Sequence, residues 1–260
     1  MQPHQGGAQN LAGAWDRVIV VTGMGRSGTR FLSTLINHAR NAAARHELIR
    51  DTAFAALSYY NAAHPLVSTK MQAGFRRFMT EVPTADRYVA VEPGLRYAVP
   101  VVRNLSPQPN CWHLVRNGRA VVQSMQRRKF LTDRDPHLPC MPFDAAEFER
   151  WQRSDRFGRL CWYWTDSVSR LLQQGVRTLH LEQLVSDYDY LDEQLLQPAG
   201  IALPKSAWIQ ERDRRVNRSG WRLRLKALIG RRPRSESWSR EHERTFREVC
   251  GDVMGTLNYA

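Results

Sequence analysis

Apolar and polar positions alternate between two periods along this chain. Val18–Val21 is an unbroken β-branched run and reads as a buried strand. Phe31, Leu32, Leu35 and Ile36 then recur at helical spacing, which predicts a helix from about Thr29 to Ala42. Further strands are predicted at Tyr88–Glu92, stopped by Pro93 and Gly94, at Cys111–Val115 and at Val176–Leu181. Helical patterns lie between and after them. A short one covers Tyr97–Leu105, and another Ala120–Arg128. A long one, capped by Asp144, runs to Gln174 with a stripe of Phe157, Leu160, Cys161, Trp164, Val168, Leu171 and Leu172. One more lies around Leu191–Gln197. A final helix capped by Ser239 carries Phe246, Val249, Cys250, Val253, Met254 and Leu257. Strands alternating with helices predict an α/β fold with a central parallel β-sheet flanked by helices on both faces. Asp51–Arg87 reads as helices and loops over the active face, and Arg127–Pro142 as a polar, proline-bearing mobile loop.

The turn between the first strand and the first helix changes this picture from architecture to chemistry. Gly23, Gly25 and Gly28 leave it free of side chains at three places. Strand, glycine turn and helix together make a phosphate cradle, because backbone N–H groups at the turn and the helix start are open donors. The domain is therefore P-loop-like. It is not a standard nucleotide-triphosphate loop. Gly23 and Gly28 have the Walker A separation, but Thr29 stands in the lysine position. The cations are Arg26, inside the loop, and Arg30, just after it. Loss of the lysine makes a metal-bound triphosphate a poor match and favours a less charged group such as a phosphosulfate.

At 260 residues the chain has room for one full α/β domain. We expect 1–14 to be a flexible N-terminal tail and 15–260 to be the domain. With 38 Lys and Arg against 25 Asp and Glu, the formal net charge is +13, which favours anionic ligands. The basic residues are spread along the chain, with a cluster at Arg212–Arg234, and no standard nucleic-acid motif is present. Cys111, Cys140, Cys161 and Cys250 form no C-x-x-C pair and read as buried free thiols. No run reaches the ~18 apolar residues of a membrane span, and no signal-peptide core is visible, so a cytoplasmic location is expected.

A second motif follows the strand Cys111–Val115. In HLVRNGRAVVQSMQRR, Arg116 closes the strand, Ser124 lies on the next helix, and Arg128 follows Ser124 by one turn. Arginine offers a fork of donors to phosphate and serine adds a hydroxyl. The strand ends in arginine where a Walker B strand carries an acid for Mg²⁺.

The R-S-G-T of the glycine turn and this second string together resemble the sulfotransferases that use 3′-phosphoadenosine 5′-phosphosulfate (PAPS), with the pattern R-[DN]-x-R-x-x-x-x-S-x-x-x-R at the 3′-phosphate. Leu181–Val185 (LEQLV) is similar to the family's Y-E-D/Q-L, with Leu181 for tyrosine. Gly200-Ile201 and the closing CGDVMGTLNY also resemble family strings, the latter with Asn258 for the usual glycine. The resemblance covers about Arg17–Tyr259. It implies a PAPS-dependent sulfotransferase acting on a small-molecule, glycan or peptide acceptor, with no metal and no specific nucleic acid. It implies that Arg26, Ser27, Gly28, Thr29, Arg30 and Phe31 hold the 5′ end of the donor, Phe31 lying near the adenine or in the core. Arg116, Ser124 and Arg128 would hold the 3′-phosphate, and Arg26 would also stabilise charge.

Three residues compete for the base. Glu47 is favoured by the resemblance to tyrosylprotein-type and bacterial members; His46 is its neighbour; Glu92 ends a strand at the ligand edge. Where many members read E-K-T-P, this chain reads Glu92-Pro93-Gly94, so the helping lysine is missing and Arg96 is a candidate replacement. In the basic segment, Arg218 and Ser219 are candidate nucleotide contacts. Competing functions are a P-loop kinase or hydrolase and a non-catalytic polyanion-binding protein.

Overall fold

The computed structural model describes residues 15–49, 51–105, 111–128, 130–132, 140–214 and 238–259. The expected tail 1–14 lies outside them, as do Arg218, Ser219 and the rest of 215–237.

Five strands form one wholly parallel sheet: β1 (Val18–Gly23), β2 (Ala42–His46), β3 (Arg87–Val91), β4 (Cys111–Val115) and β5 (Arg177–His180), in the order β2-β3-β1-β4-β5. The helices are α1 (Thr29–Ile36), α2 (Thr52–Tyr60), α3 (Pro65–Glu81), α4 (Val99–Leu105), α5 (Gly118–Gln126), α6 (Ala145–Arg153), α7 (Arg156–Gln173) and α8 (Leu181–Ser186). A continuous helical stretch from Tyr188 to Ala199, which includes a π turn at Asp192–Leu196, makes α9. Residues 205–214 are helical (α10), and Arg240–Thr256 is α11.

Both faces of the sheet are covered, which explains why β1, β3 and β4 are apolar almost throughout. Ile19, Val21, Val89, Val91, Trp112 and Leu114 face α1 and the α8–α10 region. Val18, Val20, Tyr88, Ala90 and Cys111 face α2, α3 and α4, where Phe54, Met71, Phe75 and Phe78 pack. Trp164, Phe157 and Leu160 of α7 join Val121 and Met125 of α5 and Phe246 and Cys250 of α11 in a third cluster, which closes over Met24 and Val115.

Two expectations are corrected. The first helix stops at Ile36, and Ala42–His46 is a strand. Asn37 ends the helix, and its side chain pairs with the next segment: Nδ2 donates to Ala44 O (2.9 Å) and Oδ1 accepts from Ala44 N (2.7 Å). A side-chain amide thus replaces a neighbouring strand along the outer edge of β2. The second correction is a break in the expected helix from Asp144 to Gln174. Ser154 is extended, and Asp155 caps a new helix by accepting from Gly158 N at 2.8 Å.

Because all strands run the same way, all five C-terminal ends open on one edge. The glycine turn, Glu47, Glu92, Arg116 and Leu181 each follow a strand there. The chain runs from β1 to β2 on one side of the sheet and from β3 across β1 to β4 on the other, so the strand order reverses at β1, and ligands of open α/β sheets sit at such a switch point.

Candidate active site

The glycine turn is held by its own backbone and by β4. Ser27 N donates to Met24 O at 3.2 Å, and Leu32 N donates to Gly28 O at 3.1 Å as α1 begins. Met24, Ser27 and Thr29 are buried, so these three side chains anchor the turn. Gly28 has φ +92°, and a Cβ there would stand 2.5 Å from Leu181 Cδ1. Leu181, the residue in the tyrosine position of the resemblance, therefore packs directly on the cradle. Arg26 also has a left-handed backbone, at φ +78°, which is uncommon for a side chain of this size and marks a conformation imposed by the loop.

The two sequence motifs meet here. Arg26 Nε donates to Ser124 Oγ at 2.8 Å, and Arg116 Nη1 donates to Arg26 O at 3.1 Å. The Arg26 guanidinium is held below its ordinary range, first by burial and then by the nearby charges of Arg128, Arg116 and Arg30. Four arginines drawn from α1, the glycine turn, the end of β4 and the end of α5 thus share one field. Among the described residues, no carboxylate forms an ion pair with any of the four. Concentrated positive charge of this kind favours an anion with several charged oxygens.

Arg119, the second arginine of the same string, is turned elsewhere. It makes a two-pronged ion pair with Glu243 and stacks 4.3 Å above the Trp238 ring, joining α5 to α11. The strings LEQLV and CGDVMGTLNY also converge. Glu182 Oε1 accepts from Asn117 N (3.1 Å), and its Oε2 accepts from Tyr259 OH (2.7 Å), so both brace the turn that carries Arg116. Their roles were not legible individually; only the position of Glu182 just beyond a strand hinted at this edge.

The candidate bases differ sharply in environment. Glu47 follows β2, not a helix, with a left-handed φ of +55° and a carboxylate 57% exposed. Its Oε1 lies 3.6 Å from His46 Nδ1. The other His46 nitrogen, Nε2, is 3.0 Å from Thr29 Oγ1. Glu92 is 3% exposed, and both its oxygens are engaged: Oε1 accepts from Gly94 N (2.9 Å) and Oε2 from Ile49 N (3.1 Å). Burial raises its carboxyl above the usual range against those two bonds. Arg96, the candidate replacement for the missing lysine, is buried and committed to other partners, donating to Pro93 O (2.8 Å), Ser167 Oγ (3.3 Å) and Tyr163 OH, with the Tyr97 ring 4.3 Å away. Phe31 is half-buried against the α1 face of the core. No group of three or more His, Cys, Asp or Glu side chains could hold a metal among the described residues. Among them, no helix is long and apolar enough to cross a membrane.

This architecture has a counterpart among solved structures. No protein-family model matches the chain, and no curated protein matches it in sequence. The sulfotransferase STF9 from Mycobacterium avium matches over 92% of this chain and 76% of its own, with a TM-score of 0.53 and 12% identity. The sulfotransferase domain of the olefin synthase from Synechococcus PCC 7002 aligns over 75% of this chain and 76% of its own, with a TM-score of 0.46 and 15% identity. The chain shares the fold of STF9: a parallel sheet with helices on both faces.

Proposed function

We propose that this protein is a sulfotransferase that moves the sulfuryl group of PAPS to a hydroxyl of a small-molecule, glycan or peptide acceptor. The observation that carries this reading is the contact of the two motifs, in which Arg26 bonds to Ser124 while Arg116 bonds to the Arg26 carbonyl. One nucleotide with phosphates at both its 3′ and 5′ positions suits that pair of adjoining cationic clusters. A kinase reading is disfavoured by Thr29 in the lysine position and by Arg116 at the end of β4.

In this reading Gly28, Thr29 and Arg30 hold the 5′ end through the open N–H groups at the start of α1 and the Thr29 hydroxyl, and Ser27, its own N–H bonded to Met24 O, shapes the turn beneath it. Arg116, Ser124 and Arg128 hold the 3′-phosphate. Phe31, packed against the core, supports the cradle from behind. PAPS, as donor substrate, supplies the sulfuryl group to an acceptor oxygen in line with the departing phosphate. Glu47, exposed at the same edge, accepts the hydroxyl proton. Arg26 turns from Ser124 toward the charge that grows on the leaving oxygen. Glu92, with both oxygens bonded to backbone, fixes the loop carrying Glu47 instead of serving as the base.

The test is release of 3′-phosphoadenosine 5′-phosphate from PAPS in the presence of a panel of phenols, sugars and hydroxyl-bearing peptides. Glu47→Gln is expected to lower kcat about 10²–10⁴-fold, the span of general-base catalysis. Turnover of ATP with Mg²⁺ and none of PAPS would reject the reading.

A further inference from the structure

His46 sits between the proposed base and the cradle. It closes β2, its Nδ1 faces Glu47 Oε1 at 3.6 Å, and its Nε2 is in hydrogen-bond contact with Thr29 Oγ1 at 3.0 Å. The first distance is too long for a hydrogen bond, so no proton is shared there in this state. The second fixes the imidazole to the residue that occupies the lysine position of the loop. We propose that Glu47, His46 and Thr29 form a proton path from the acceptor hydroxyl to the phosphate oxygen released by the sulfuryl group. The proposal rests on the sulfotransferase reading above.

The path balances. The acceptor O–S bond forms, and the S–O bond to the 5′-phosphate breaks with its electron pair going to the phosphate oxygen. Glu47 takes the acceptor proton, its exposed side chain closes the 3.6 Å gap, and the proton passes to His46 Nδ1. His46 Nε2–H passes a proton to Thr29 Oγ1, and the Thr29 hydroxyl gives its own to the released oxygen. A phosphate monoester has a second pKa of about 6, so the receiving oxygen is a competent acceptor near neutrality. His46 touches neither substrate; it is a positioning residue acting through its two neighbours.

The surroundings suit such a role. Burial lowers the His46 pKa below the ordinary imidazole range, Glu47 opposes that shift, and Arg30 of α1 adds to it. The imidazole is therefore neutral at pH 7 and ready to gain a proton. A phosphate dianion bound through Thr29 raises the affinity of His46 for that proton. The other group able to take one up is Glu92, which faces Glu47 from the end of β3 with its carboxyl already raised by burial.

The experiment is calorimetric titration of 3′-phosphoadenosine 5′-phosphate at pH 7 in two buffers of different ionisation enthalpy. It is run on the full chain and on His46→Gln, Thr29→Val and Glu92→Gln. The expected result is proton uptake on binding by the unmodified protein and by Glu92→Gln, and loss of that uptake in the other two variants. His46→Gln can still donate to Thr29 but cannot titrate, so a merely structural histidine would change affinity and leave uptake intact. Thr29→Val interrupts the same path from the other side if His46→Gln does not fold. With PAPS and water as acceptor, His46→Gln is expected to lower kcat about ten- to a hundredfold with little change in KM for PAPS. Absence of nucleotide binding by the unmodified protein would overturn the sulfotransferase reading and this inference with it. Binding with equal proton uptake in His46→Gln would overturn the proton path alone, and so would loss of uptake only in Glu92→Gln.

Discussion

Gly28→Ala tests whether the cradle has the shape described. Two costs arise from the structure. At φ +92° an alanine is in the left-handed region, at about 1–2 kcal/mol. Its Cβ would stand 2.5 Å from Leu181 Cδ1 and 2.8 Å from Cδ2, and overpacking of that kind costs about 1–3 kcal/mol. The sum is about 2–5 kcal/mol, read in urea as a lower midpoint at constant slope. The steric part can be separated from the backbone part. Leu181→Ala alone opens a cavity in the buried cluster and costs about 2–5 kcal/mol. In Gly28→Ala/Leu181→Ala the clash is gone, so the double variant should be less unstable than the sum of the singles by about 1–3 kcal/mol. Additivity within about 0.5 kcal/mol would show that Leu181 does not press on the turn. A cost of Gly28→Ala under about 1 kcal/mol would show that the left-handed geometry is wrong as well.

Other consequences can be checked separately. Glu92→Gln places an amide N–H against the N–H of Ile49 or Gly94 and should cost about 1–3 kcal/mol in urea unfolding, whereas the exposed Glu47→Gln should stay within about 0.5 kcal/mol; equal effects would contradict the division of roles. His113 is fully buried, its ring nitrogens have no hydrogen-bond partner among the described residues, and burial, with His180 nearby, pushes its pKa down to about 3. A folded-state pKa below the unfolded value means that the unfolded chain binds the extra proton between about pH 6.5 and 3, so stability should fall with acidification through that window. His113→Leu should flatten this pH dependence of the urea midpoint, and an unchanged slope would show that other groups set it. All four cysteines are buried and free; Ellman's reagent should find none quickly in the native protein and all four in denaturant, and a fast-reacting native thiol would contradict the packing.

Residues whose local pattern and tertiary role coincide were legible from the sequence. Val18–Val21 is apolar on both faces because helices cover both faces, and the α7 stripe from Phe157 to Leu171 is buried as its spacing predicts. The strand Ala42–His46 was hidden because alanine carries no strand preference, and because Asn37, a distant-looking polar residue, stands in for its missing neighbour. The break at Ser154 was hidden because the apolar pattern resumes in α7 after a turn fixed by Asp155. The site motifs were readable as two strings, but their contact through Arg26, Ser124 and Arg116 depends on β4 pairing beside β1. The sequence also made Glu92 and Arg96 look available for chemistry. Their burial, and the backbone and side-chain groups they satisfy, exist only once β3 and the following turn pack against α7 and the loop after β2.

The central claim is that the glycine turn and the end of β4 grip opposite ends of one doubly phosphorylated nucleotide. Its most direct test is a comparison of the Kd of 3′-phosphoadenosine 5′-phosphate with that of 5′-AMP, in the unmodified protein and in Arg116→Ala. Charge-assisted hydrogen bonds contribute about 1.5–3 kcal/mol each, so the 3′-phosphate should improve binding at least about a hundredfold when two are made. Arg116→Ala should remove most of that preference and leave the affinity for 5′-AMP nearly unchanged. Equal affinity for the two nucleotides, or a loss in Arg116→Ala shared equally between them, would contradict the claim.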